Sequence, residues 1–211
     1  MKVIDVSWPI STATTGYKDK KVVKFDEVKN FAKDGARETN IHLSAHTGTH
    51  IDAPSHFLRD GKTIDQIDLS RFIGPCKVID LTDVVEAITR NRLASHEGEI
   101  DEGDIVLLKT TNSAKNATDK FTPHFVYLEF TGAEYLKEKK VKAVGIDYLG
   151  IERSQSGHPT HTTLLHADIG LVEGLRLRHV KEGAYFFVCL PLNTIGIEAA
   201  PARAVVISDL E

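Results

Sequence analysis

Three imidazoles and a carboxylate fall within eleven residues of this chain: His46, His50, Asp52 and His56, with Gly48 and Pro54 between them. Coiled as a helix, the segment would place His46 and His50 on one face and turn Asp52 to the other. Extended, it points all four side chains the same way, because they sit at even offsets. A straight strand would hold His46 and His56 roughly 33 Å apart at about 3.3 Å per residue, too far for one centre. The chain must therefore curl. Gly48 permits unusual backbone angles, and Pro54 ends any ladder by removing an N–H. Imidazole nitrogen and carboxylate oxygen together suit zinc, manganese or iron, and a carboxylate can bridge two cations. The plain alternative is a polar strand edge with scattered histidines, but four ligand-type side chains in one short segment favour a metal centre.

Two residues far along the chain are able to extend such a centre. Glu173 sits in Ile169-Gly-Leu-Val-Glu-Gly-Leu175, an acid among apolar neighbours, and a buried carboxylate needs a partner. That partner is a cation, or else an arginine such as Arg176. His161 closes the segment Gly157-His-Pro-Thr-His161, a loop-like stretch of the kind that carries function, or else a solvated histidine. The remaining histidines (42, 96, 124, 158, 166 and 179) have no comparable context and are expected at the surface or behind the ligands. Asp147, just past a strand, orients a ligand imidazole or caps a turn.

The elements that must position these groups are mostly strands. Apolar, β-branched runs predict strands at residues 3–6, 22–25, 38–44, 76–81, 105–109, 143–146, 169–172, 184–190 and 204–207. Helical turns are expected near residues 68–72, from a Thr89 cap through residue 94, and from a Thr131 cap over residues 133–140. The stretch from residue 147 to about 163 reads as a loop. This is a mixed α/β class without a regular βαβ succession.

A chain of 211 residues, 41% hydrophobic and 27% charged, is long enough for one domain, 1–211, with a real core. The formal net charge of −4 offers no electrostatic footprint for nucleic acid or an anionic membrane. No apolar run reaches the ~18 residues of a membrane span, and residues 1–5 do not read as a signal peptide. A cytoplasmic location is expected, with Cys76 and Cys189 as buried free thiols.

The segment His46-Thr-Gly-Thr-His-Ile-Asp-Ala-Pro-Ser-His-Phe57 resembles the signature of the metal-dependent cyclase family, which includes bacterial-type kynurenine formamidase and isatin hydrolase. The likeness continues through Val144-Gly-Ile-Asp147, His161-Thr-Thr-Leu-Leu165, Val172-Glu-Gly-Leu175, Leu190-Pro-Leu and Ala200-Pro-Ala-Arg-Ala204. The resemblance implies a swivelling β/β/α domain, usually oligomeric, so a homodimer or larger is expected. It implies two divalent ions, zinc before manganese: His46 and His50 on one, His161 and Glu173 on the other, Asp52 bridging, and His56 as catalytic acid/base. The implied activity is hydrolysis of a small amide, first an aryl formamide such as N-formylkynurenine. An isatin-type cyclic amide, or a lyase or cyclase reaction, is the alternative. Two departures bear on the substrate pocket. Thr15-Gly-Tyr-Lys-Asp19 stands where formamidase relatives tend to carry a Trp-Pro-Gly-Asp-like stretch, and Gly150 where many relatives have Ser.

Overall fold

The computed structural model describes residues 1–208. The chain first forms strands β1 (Lys2–Asp5) and β2 (Lys24–Lys29), the one-turn helix α1 (Phe31–Asp34), and β3 (Glu38–His42). Strands β4 (His50–Asp52), β5 (Ile73–Asp80) and β6 (Ala87–Ile88) precede helix α2 (Arg90–Ala94). Then β7 (Ile105–Lys109) and β8 (Tyr127–Leu128) lead to α3 (Phe130–Glu138), and β9 (Ala143–Ile146) to α4 (Pro159–His166). Strands β10 (Gly170–Glu173), β11 (Gly183–Pro191) and β12 (Ala199–Ser208) follow.

The main sheet runs β1-β12-β11-β5-β7-β9-β10-β4, and β4 also pairs with β12, so the sheet closes on itself like a barrel. The run β5-β7-β9-β10 is parallel, whereas β11 and β4 pair antiparallel with their neighbours. Strand alternation then separates two cores. Ile105, Leu107, Val172 and Phe187 fill one side together with Ile51. Val106, Leu108, Val144, Ile146 and Leu171 pack on the other against Leu93 of α2, Leu136 of α3 and Leu164 of α4. Strands buried on both faces read as unbroken apolar runs, which is why residues 105–109 announce themselves in the sequence. Cys76 and Cys189 are buried and free, and burial pushes the Cys76 thiol up to about 12.

Several sequence expectations shift. The second strand lies at Lys24–Lys29 rather than 22–25. Helix α3 begins at Phe130, and its cap is Glu129, whose carboxylate accepts from the Thr131 N–H at 2.9 Å. Thr89 occupies the N-cap position of α2 but accepts no side-chain hydrogen bond there. The largest correction is α4, where a loop was expected. Pro159 stands in the first turn, where its fixed φ suits a helix and its missing N–H costs nothing. The β2–β3 hairpin is a separate two-stranded ribbon whose registered pair Phe25 and Ile41 stays 41% and 62% exposed.

Candidate metal centre

Strand β4 is three residues long, wholly buried, and held on both edges. On one side His50 stands opposite Glu173 of β10, and on the other opposite Pro201 of β12. Alternation sends Ile51 into the barrel core and leaves His50 and Asp52 on the opposite face, together with Glu173. Helix α4 covers that face and brings His161.

Close backbone approaches fix the registry. Gly48 and Gly174 both adopt positive φ, at 65° and 73°, a region that L side chains avoid. A Cβ on Gly174 would lie 2.4 Å from the Gly48 carbonyl oxygen. In the space this leaves, the Thr49 hydroxyl donates to the Gly174 carbonyl at 2.6 Å and accepts from the Trp8 N–H at 2.7 Å. The curl expected from Gly48 and Pro54 is present: His46 sits in the turn before β4, and His56 in a 3₁₀ turn that starts at Pro54. The extended reading therefore holds only for residues 50–52.

All six site residues singled out in the sequence converge. Oδ1 of Asp52 lies 3.0 Å from His46 Nδ1 and 3.6 Å from His50 Nε2, while Oδ2 lies 3.8 Å from His161 Nε2. The two Glu173 oxygens divide in the same way, Oε2 at 3.3 Å from His50 Nε2 and Oε1 at 3.3 Å from His161 Nε2. A ring nitrogen of His56 falls within 4.8 Å of ligand atoms of His46 and Asp52. Glu173 takes a backbone hydrogen bond from the Ile151 N–H at 2.7 Å. Arg176 is not its partner, since that guanidinium bonds the Ser113 carbonyl and stacks over Trp8.

Several of these contacts are close without being aligned hydrogen bonds. Both Asp52 carboxylate oxygens and His50 Nε2 are buried with no hydrogen-bond partner. Orphaned buried acceptors are costly, and lone pairs that converge on common points are what a divalent cation satisfies. Tautomers agree. His50 Nδ1 donates to the Gly48 carbonyl at 2.9 Å, so its neutral ring presents Nε2 as a free lone pair. The residues present fit a metal centre.

Electrostatics without a cation tell the same story. Burial alone would lower the His50 pKa, but Glu173 and Asp52 raise it to about 9. His161 is likewise opposed by burial and raised to about 10 by Glu152, Glu173 and Asp52. Burial works against ionised Glu173, yet His161 and His50 hold it well below the usual carboxylate range. The protons on His50 and His161 occupy the place of positive charge.

Sequence reasoning missed Glu152, which is 5% exposed and lies 3.1 Å from His161 Nδ1 and 2.7 Å from His158 Nδ1. Nothing in its spacing marks it; only the folding of residues 152–161 brings it behind His161. Asp147, whose role was open, faces away from the ligands: it accepts from the Thr110 N–H and hydroxyl, both at 2.7 Å, and from the Ser113 N–H at 3.1 Å. It ties down the loop after β7. Above the cluster opens a cavity of about 360 Å³, walled by Tyr17, Val22, Phe57 and Leu149, with Lys20 also on its lining. Burial, with Glu173 and Glu152 nearby, pushes the Tyr17 phenol up.

Residues 4–153 match the family described as "Putative cyclase", and the kynurenine formamidase of Salinibacter ruber is 33% identical across 97% of both chains. The chain belongs to the Cyclase family. A solved structure described as a predicted metal-dependent hydrolase from Bacillus stearothermophilus is 45% identical, covers 97% of each chain and superposes with a TM-score of 0.86. Isatin hydrolase A from Ralstonia solanacearum, at 23% identity, shares the fold with a TM-score of 0.84 over 97% of this chain and 91% of its own. The Cyclase-family fold is thus the mixed α/β, barrel-like architecture described above.

Proposed function

We propose that this chain, acting as one unit over residues 1–211, is a metal-dependent hydrolase of a small amide. The observation that carries the reading is the orphaned Asp52 carboxylate, with Oδ1 facing His46 and His50 and Oδ2 facing His161. That division supports two divalent ions with Asp52 between them; the family resemblance assigns His46 and His50 to one and His161 and Glu173 to the other, and Glu173 lies 3.3 Å from both His50 and His161. Zinc is the first choice and manganese the second, because both accept imidazole and carboxylate. Ions held there would lower the pKa of water toward ~7 and polarise the substrate carbonyl.

The chain's own residues do the rest. Phe57, Leu149 and Tyr17 line an apolar wall suited to a flat aryl group, and they hold bulk water away from the carbonyl. His56 lies beside His46 with ring centroids 4.4 Å apart. Burial lowers its pKa against the pull of the Asp52 carboxylate, which favours the neutral imidazole that accepts a proton. We assign it the role of taking a proton from the attacking water and delivering it to the departing nitrogen. Hydrolysis of an aryl formamide then yields formate and the aryl amine.

The name of the Salinibacter relative supports N-formylkynurenine as the first substrate, and the isatin hydrolase fold supports a cyclic amide as the second. Assays of zinc-loaded protein against formamides, cyclic imides and lactones test this. Turnover of lactones alone would reject the amide reading. The exposed β2–β3 ribbon supports a homodimer or larger, since a lone hairpin is marginal in water; sedimentation as a monomer at micromolar concentration would reject it. Free buried thiols fit a reducing, cytoplasmic setting. Among the described residues no helix is long and apolar enough to cross a membrane.

A further inference from the structure

We propose that Glu152 is a positioning residue for the metal centre: its buried carboxylate holds the Nδ1 proton of His161 and thereby presents Nε2 as the ligating atom. The inference rests on the metal reading above and adds a residue that acts through His161. Glu152 precedes α4 and folds back against its first turn. One oxygen, Oε2, accepts from the Thr160 N–H at 2.8 Å, from the His161 N–H at 3.4 Å and from the Gln155 amide at 3.3 Å. The other, Oε1, faces His158 Nδ1 at 2.7 Å and His161 Nδ1 at 3.1 Å. The carboxylate therefore caps the helix that carries His161 and touches the back of the same imidazole.

The ring has two nitrogens and two environments. Nε2 makes a hydrogen bond with Glu173 Oε1 at 3.3 Å and lies 3.8 Å from Asp52 Oδ2, acceptors that a cation would claim. Nδ1 is buried and makes no aligned hydrogen bond, and the acceptor within ion-pair range of it is Glu152. A proton on Nε2 would aim at the metal position and leave Nδ1 as a lone pair against a carboxylate, which is repulsive. A proton on Nδ1 satisfies both sides. His50 reaches the same tautomer by another acceptor, the Gly48 carbonyl. The imidazoles of His50 and His161 are thus locked by different devices, one of them charged.

Zinc binding to the full chain, followed by competition with a chromophoric chelator, tests this on wild type and Glu152→Gln. The amide oxygen of Gln can still accept from Thr160, so the helix cap persists while the charge is lost. We expect one of two ions to bind 10–100-fold more weakly, the other to keep its affinity, and the metal-free melting temperature to stay within a few degrees. Both ions retained at wild-type affinity, or both weakened alike, would overturn the inference while leaving the metal reading intact. A wild-type chain that binds no zinc would overturn the metal reading and this inference together. The ¹⁵N shifts of His161 in zinc-loaded wild type give a measurement that needs no variant. A protonated Nδ1 with a deprotonated Nε2 is the expected result, and a proton on Nε2 refutes the role of Glu152.

Discussion

Loading the metal-free protein with zinc should expel at least two protons at pH 7. The perturbation is metal addition, and the magnitude comes from the two buried imidazoles. Without a cation, His50 titrates near 9 and His161 near 10, so both are protonated at neutral pH. Ligation through Nε2 needs both neutral. Stripping those protons at pH 7 costs about 3 kcal/mol for His50 and about 4 kcal/mol for His161, at roughly 1.4 kcal/mol per pH unit. Each ion's binding constant should therefore rise about tenfold per pH unit, or ~100-fold between pH 6 and 8, until the imidazole itself titrates. The same shifts set the stability of the metal-free chain. A raised imidazole pKa stabilises the fold fully below the unfolded value of ~6.5, and that contribution is lost as pH climbs toward 9 and 10. Calorimetric titrations in buffers of different ionisation enthalpy count the protons directly. Full zinc binding with near-zero proton release would show that the imidazoles are already neutral in the empty site, and the electrostatic argument would fall.

Three further outcomes are expected. Replacing His56 with alanine should leave the metal content unchanged while kcat falls ~10²–10⁴-fold, the usual worth of general acid–base help; a variant that loses metal on elemental analysis would make His56 a ligand instead. Asp52→Asn removes the charge facing both halves of the site, so both ions should weaken, and retention of either at wild-type affinity argues against bridging. At Gly150 an added Cβ would lie 3.3 Å from Tyr17 Cε2 and 3.4 Å from Phe125 Cζ, so Gly150→Ala should cost about 1–3 kcal/mol of overpacking and displace Tyr17 in the pocket wall. We expect a Tm lower by several degrees and a larger change in KM than in kcat; unchanged Tm and KM would show that the wall yields freely.

The sequence alone marked the ligand-type side chains of the candidate centre, because residue type and local spacing are properties of the chain itself. His46, His50, Asp52 and His56 had to share one curled segment, with Gly48 supplying the positive φ and Pro54 the break. Apolar runs such as residues 105–109 likewise declared buried strands without any partner in view. What the tertiary structure decided are relations between distant segments. That Glu173 stands opposite His50 follows from β4 pairing with β10, a registry set by backbone contact between the turns at Gly48 and Gly174. No periodicity carries that information. Helix α4 reads as a loop from residues 147–163 because Thr, His and Pro weaken its pattern; it exists because Glu152 caps it and Leu164 packs into the core behind β9. Glu152 itself was illegible for the same reason. Its place behind His161 depends on the path of the intervening loop, and a carboxylate nine residues before a histidine signals nothing until that loop is folded.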